Sequence, residues 1–286
     1  MIELKDISKT FRRRPVLDGI SLSIADGSRI ALVGSNGAGK TTLIRCLLGE
    51  YVCQGSVQID GLDPRRNRQQ VLKRVGFVPQ LPPPLQMSVN ELVLFAAHVS
   101  DSDPKLMEDL AISLGLEFEA VRHQPFVKLS GGQKQKLLIG IALGRNCDML
   151  FMDEPAANLD PESRQVFFKL LAEHNHKSVM LMSSHRLDEV AAFVNRVVEL
   201  DQGRVTLDDH VVDTVELTSL LTCTIEASRN EEALAKALTE WGFEKEGEAP
   251  RWQGTVAGPD RLRFLSMVSR YAGLLVSLDL QGGNGA

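Results

Sequence analysis

Nothing constrains this chain more than nine consecutive residues, Gly34, Ser35, Asn36, Gly37, Ala38, Gly39, Lys40, Thr41 and Thr42, which fit the spacing G-x-x-x-x-G-K-T. RIALVG at 29–34 precedes them, an apolar run without polar alternation, which predicts a strand buried on both faces. TTLIRCLLG at 41–49 follows at helical spacing, with Gly49 placed to stop the helix. A glycine-rich turn between such a strand and such a helix lets backbone N–H groups curl toward phosphate oxygens, and the helix dipole adds to the attraction. Lys40 then falls beside the outer phosphates of a nucleotide, and Thr41 offers its hydroxyl to Mg²⁺. The competing reading, a dinucleotide turn, needs G-x-G-x-x-G in a different phase and has no use for a lysine after the last glycine.

Two other segments carry chemistry. MLFMDE at 149–154 sets the adjacent carboxylates Asp153 and Glu154 at the end of a second buried strand. By itself such a pair is an ordinary strand end. Downstream of a phosphate-binding loop it supplies what in-line phosphoryl transfer needs, one carboxylate to hold Mg²⁺ and a neighbour to polarise the attacking water. LSGGQKQK at 129–136 places Ser130, Gly131 and Gly132 immediately before a predicted helix that begins at Gln133, whose free N–H groups make the turn anion-seeking. One nucleotide site does not obviously need two such turns.

The remaining patterns predict an α/β chain. Alternating residues from Ile2 to Ile24, joined by the basic turn RRRP, read as antiparallel strands. Further strands are predicted at 56–60, 75–80, 149–154 and 178–184, and VVEL–DQGR–VTLDD at 197–209 reads as a hairpin. Between about 82 and 128 the texture turns helical after the PPP break, which predicts a helical insertion. The composition shifts again after about 215, where the order β-α-β-β-α-β predicts a ferredoxin-like α+β module. The expected division is therefore 1–215 and 216–286.

Composition narrows the function classes. A net charge of −5 provides no basic field, so no nucleic-acid partner is expected, and the clusters Arg12–Arg14 and Arg65, Arg66, Arg68 read as surface. Cys46, Cys53, Cys147 and Cys223 show no disulfide or zinc spacing, and the other histidines form no ligand pattern. The most lipophilic runs, 92–99 and 137–144, are far shorter than the ~20 residues that cross a bilayer. A cytoplasmic chain is expected.

Taken together, GSNGAGKTT, Gln80 after a strand, LSGGQ, MLFMDEP, the turn NLD at 158–160 and His185 after SVMLMSS occur in one order over about residues 1–210. In this the chain resembles the ATP-binding subunit of an ABC transporter. The resemblance implies a P-loop NTPase cassette of the ABC type, with an antiparallel β subdomain and a helical subdomain, that hydrolyses ATP with Mg²⁺. It implies a head-to-tail homodimer in which each ATP lies between the Lys40 loop of one copy and the LSGGQ turn of the other, which accounts for the two turns. Lys40 is then expected on the β- and γ-phosphates, with Thr41, Gln80 and Asp153 around Mg²⁺. Glu154 is the expected general base, and His185 and the partner copy's turn, through Ser130 and Gly132, the expected γ-phosphate contacts. Asp160 falls in the interface loop, and Phe11 at the position of the aromatic that stacks on adenine.

This sequence reads PAANLDP at 155–161, where the commoner form is PTSGLDP, a change expected to tune the interface without removing catalysis. The helical insertion is expected to dock on an integral-membrane permease, which leaves the subunit peripheral on the inner face of the cell membrane. The form of the loop and HRLDEV at 185–190 resemble export systems with separate permeases, and also the ATPase of the copper-site maturation system for nitrous oxide reductase. The alternative class is an ABC ATPase without a permease, as in iron–sulfur assembly.

Overall fold

The computed structural model describes residues 1–174, 178–185, 187–210, 220–247, 249–257, 264–265, 267–268, 271 and 274–282. Two compact units emerge, Met1–His185 with Phe193–His210, and Arg186–Ala192 with Val211–Ala286. The expected boundary near 215 falls at 211–219, outside the described residues.

The first unit opens with β1 (Ile2–Phe11) and β2 (Arg14–Ile24). The basic stretch between them is a two-residue turn with φ 46° at Arg12 and 71° at Arg13, the left-handed pair whose twist matches that of the flanking strands. Then come β3 (Arg29–Val33), α1 (Lys40–Leu47), β4 (Gln54–Ile59), α2 (Arg68–Lys73) and β5 (Val75–Val78). The insertion provides α3 (Val89–Ser100), α4 (Pro104–Ser113) and α5 (Phe118–Val121), and α6 (Gly131–Leu143) returns the chain to β6 (Met149–Asp153). After α7 (Pro161–Glu173) and β7 (Val179–Ser184), the short α8 (Leu187–Val190) belongs to the second unit, and the hairpin β8 (Arg196–Asp201) and β9 (Arg204–His210) to the first.

Two sheets result in this unit. β2-β1-β4 is antiparallel. The order β5-β6-β7-β3-β8-β9 is parallel except for β9. The predicted two-sided burial holds, since every residue of β6 and β7 and the first four of β3 are buried. Leu43, Ile44 and Leu47 of α1 join Ile2, Leu4 and Ile7 of β1 and Ile30 and Leu32 of β3 in one core. The helical insertion has a core of its own, built on Val93, Met107, Ala111, Phe118 and Phe126 and completed by Leu137 and Ile141 of α6.

This topology positions the site. Ligands in such sheets bind outside the carboxyl ends of the parallel strands. Register sets Val33 beside Ser184 and Asp153 beside Ser183, so the ends of β3, β6 and β7, with β5 one strand further out, fall on a single edge.

The second unit contains β10 (Leu220–Ala227), α9 (Glu232–Glu240), β11 (Glu244–Lys245), β12 (Arg251–Ala257) and β13 (Leu275–Gly282). Its antiparallel order β11-β12-β10-β13 is the ferredoxin-like arrangement. Of the helix expected at 260–273, Phe264, Leu265, Met267 and Val268 are helical and most of the remainder lies outside the described residues. Phe264 stacks on Phe243 with ring centroids 4.9 Å apart, in a core that includes Cys223, Ile225, Leu234 and Trp252.

Candidate functional site

Backbone geometry builds the phosphate loop. Gly34 has φ 145°, and a Cβ there would stand 2.2 Å from the Leu200 carbonyl oxygen. Gly39, the residue before α1, has φ 110°, and a Cβ would meet Leu17 Cδ2 at 2.8 Å and Val16 O at 2.9 Å. Only glycine fits at either place. No side chain caps α1, so the first-turn N–H groups keep their capacity for an anion. Lys40 is 7% exposed and curls over the loop, its Nζ donating to Gly34 O at 2.6 Å and Ser35 O at 3.2 Å.

Glu154 follows β6 with φ 49°, unusual for a residue with a side chain. Its carboxylate is 9% exposed, with Oε1 3.9 Å from Lys40 Nζ and Oε2 2.8 Å from His185 Nδ1. His185, just past β7, is half-exposed. Asp153 is buried, and Ser183 Oγ donates to its Oδ1 at 2.7 Å. Residues Ser35–Thr42, Gln80, Glu154 and Val16 line one cavity. The structure thus brings together the loop, both carboxylates, Gln80 and His185 from four separated stretches of sequence.

The remaining expected residues lie elsewhere. Phe11, at the end of β1, is half-exposed, packs edge-on against Tyr51 at 5.3 Å and has Lys9 Nζ 4.7 Å from its ring centre. Ser130 begins α6 with a capping box, in which its Oγ accepts from Gln133 N at 3.2 Å and its own N–H donates to Gln133 Oε1 at 2.9 Å. The Ser130 hydroxyl hydrogen remains available to an acceptor. Asp160 caps α7, accepting from Ser163 N at 2.9 Å and Ser163 Oγ at 2.7 Å, with Lys136 Nζ 3.0 Å away. Those hydrogen bonds from Ser163, and then Lys136, hold the Asp160 carboxyl well below the usual carboxylate range.

Sequence reasoning missed Ser183 and Gln135. Gln135, fully buried in α6, donates from Nε2 to the Pro155 carbonyl at 2.8 Å and so ties the LSGGQ helix to the turn after Glu154. A polar residue in an otherwise apolar strand or on a buried helix face was the only available signal.

The residues fit ATP and Mg²⁺. A loop that excludes every Cβ at Gly34 and Gly39 leaves its amides open to phosphate, beside a lysine that donates hydrogen bonds to two carbonyls of the loop itself. The Thr41 hydroxyl, the Gln80 amide and the Asp153 carboxylate are the oxygen donors that Mg²⁺ prefers.

Residues 17–157 match the profile of the ABC transporter family. The ATP-binding protein ZnuC of a high-affinity zinc uptake system in Bacillus subtilis is 32% identical over 217 residues, 71% of this chain and 92% of that one. The glutamine transport ATP-binding protein GlnQ of Escherichia coli is 31% identical over 220 residues, 73% and 90%. Among solved structures, a bacterial Atm1-family ABC exporter with ATP bound aligns with TM-score 0.65 and 26% identity over 73% of this chain and 38% of that one. A dimeric ATP-binding cassette in a post-hydrolysis state with ADP and Pi shares the fold, with TM-score 0.64 and 24% identity over 73% and 98%. The chain belongs to the ABC transporter family, as an ATP-binding subunit with the P-loop cassette fold. Among the described residues no helix is long and apolar enough to cross a membrane.

Proposed function

We propose that the chain hydrolyses ATP as one half of a head-to-tail homodimer and drives a separate integral-membrane permease. One observation carries the hydrolytic part. Glu154, buried between Lys40 and His185, faces the cavity lined by the phosphate loop. The loop amides and Lys40 bind the β- and γ-phosphates, and Thr41, Gln80 and Asp153 hold Mg²⁺, which supplies charge neutralisation on the phosphates when bound. Glu154 accepts the proton of the attacking water. His185, bonded to Glu154, orients that carboxylate and meets the γ-phosphate. Phe11 provides the adenine platform, and Ser130, Gly131, Gly132 and Gln133 close on the nucleotide of the other copy, with Asp160 in the loop between. The cassette comprises about 1–215, and 216–286 form an accessory module.

The named relatives include uptake systems for zinc and glutamine as well as an exporter. The resemblance to export systems and to the copper-site maturation ATPase finds no particular support among them. The permease reading rests on family membership, and co-purification of a polytopic membrane protein separates it from an ABC ATPase that acts without one.

Phosphate release by the wild-type chain and by Glu154→Gln tests the site. The variant should bind ATP and hydrolyse it at least ~100-fold more slowly, because general-base catalysis contributes 10²–10⁴. Turnover near the wild-type rate would remove Glu154 as the base.

A further inference from the structure

Ser183, near the end of β7, has no role in the reading above. It is fully buried, and the strand before it, Val179, Met180, Leu181 and Met182, is apolar. Its Oγ serves two neighbours at once. It donates to Asp153 Oδ1 at 2.7 Å and accepts the Glu154 backbone N–H at 2.9 Å. A hydroxyl is the smallest group that can donate and accept at once, so neither alanine nor valine would replace it.

The two neighbours belong to the adjacent acids of the proposed site, the Asp153 carboxylate and the Glu154 backbone. Asp153 is paired with Ser183 in the parallel ladder, where the β6 register ends. The next residue, Glu154, leaves the strand with φ 49°, a conformation that L-residues avoid. From there its carboxylate reaches His185 at 2.8 Å and Lys40 at 3.9 Å. An extended Glu154 would continue the strand instead of turning, so something must hold the backbone at this bend. The hydrogen bond from the Glu154 N–H to Ser183 anchors the bend to β7, and the Ala157 N–H donates to Glu154 O at 3.2 Å across the turn that follows.

The geometry points to Ser183 as a positioning residue for ATP hydrolysis, a single hydroxyl that fixes the Asp153 carboxylate and the Glu154 turn together. This rests on the ATPase reading above. Ser183 is not among the residues that line the cavity, and it acts through the two acids. One group therefore sets both the metal-holding carboxylate and the base, and their geometry is correlated.

The test compares full-length Ser183→Ala and Ser183→Thr with the wild type. In the nucleotide-free protein, hydrogen–deuterium exchange over residues 152–157 should accelerate about tenfold in the alanine variant, the scale of one lost buried hydrogen bond. Mn²⁺ affinity, read by electron paramagnetic resonance with a non-hydrolysable ATP analogue, should weaken about tenfold. The kcat for ATP should fall about tenfold with KM for ATP little changed, because the phosphate loop is untouched. Ser183→Thr, which keeps the hydroxyl, should restore all three. Unchanged exchange and unchanged Mn²⁺ affinity in Ser183→Ala would overturn the proposal. If the alanine variant fails to fold, Ser183→Cys, a volume-conserving change to a weak donor, is read in the same way. A wild-type chain without ATPase activity would remove the underlying reading, while the exchange measurement would still decide the role of Ser183.

Discussion

Lys40 and Glu154 are charges almost wholly removed from water, 7% and 9% exposed, and 3.9 Å apart. Removing one partner of a buried pair typically costs about 3–5 kcal/mol, because the other is left uncompensated. Each therefore supports the burial of the other until phosphate arrives to take over Lys40. His185 is different. It is half-exposed and contributes one hydrogen bond to Glu154, so its removal should spare the fold. His185→Ala should lower kcat at least about tenfold, the weight of a hydrogen bond to a charged group, with an unchanged thermal midpoint. Steady-state kinetics beside a melting curve checks both, and an unaffected kcat would remove His185 from the catalytic set. The identities of Lys40, Asp153, Glu154 and His185 were legible because each sits at a fixed spacing from a glycine or an apolar run. Ser183 and Gln135 were not, since their partners lie in other elements. Only the pairing of β6 with β7 puts Ser183 beside Asp153, and a shift of one residue would turn it to the other face of the sheet.

At the scale of elements, α6 has two duties. Its N-terminal turn presents Ser130 and the two glycines, and its middle closes the core of the helical insertion. Gly140 makes the second duty possible, because a Cβ there would stand 2.8 Å from Ala111 N and 2.9 Å from Met107 O of α4. Gly140→Val should therefore force the two helices apart and destabilise the cassette by about 2–3 kcal/mol, as overpacked cores do. That should lower the melting midpoint by about 5 °C or more, and an unshifted midpoint would contradict the packing described. The helix itself was legible from its apolar spacing, but the reason for its glycine was not, because the facing residues are on α4. α2 was hidden for another reason. Its sequence RQQVLK is mostly polar and Val71 is its only buried residue, so no periodic signal rises above the charge.

For the molecule as a whole, the sequence presented two anion-seeking turns, and only one of them lines the cavity that holds Glu154. Ser35–Thr42 line the cavity with Gln80 and Glu154, whereas Ser130–Gln133 are not among the residues that line it. The head-to-tail dimer proposed above would give the second turn a nucleotide to bind, that of the other copy. The C-terminal module was legible as an order of elements, and the sheet order β11-β12-β10-β13 follows from pairings between strands distant in sequence, which composition does not display. The most direct test of the composite site is sedimentation velocity of Glu154→Gln with and without ATP and Mg²⁺, alongside Lys40→Ala under the same conditions. If the site is composite, ATP converts Glu154→Gln from monomer to dimer and Lys40→Ala remains monomeric. A monomer in every condition, or a dimer that forms equally well without ATP, would contradict it.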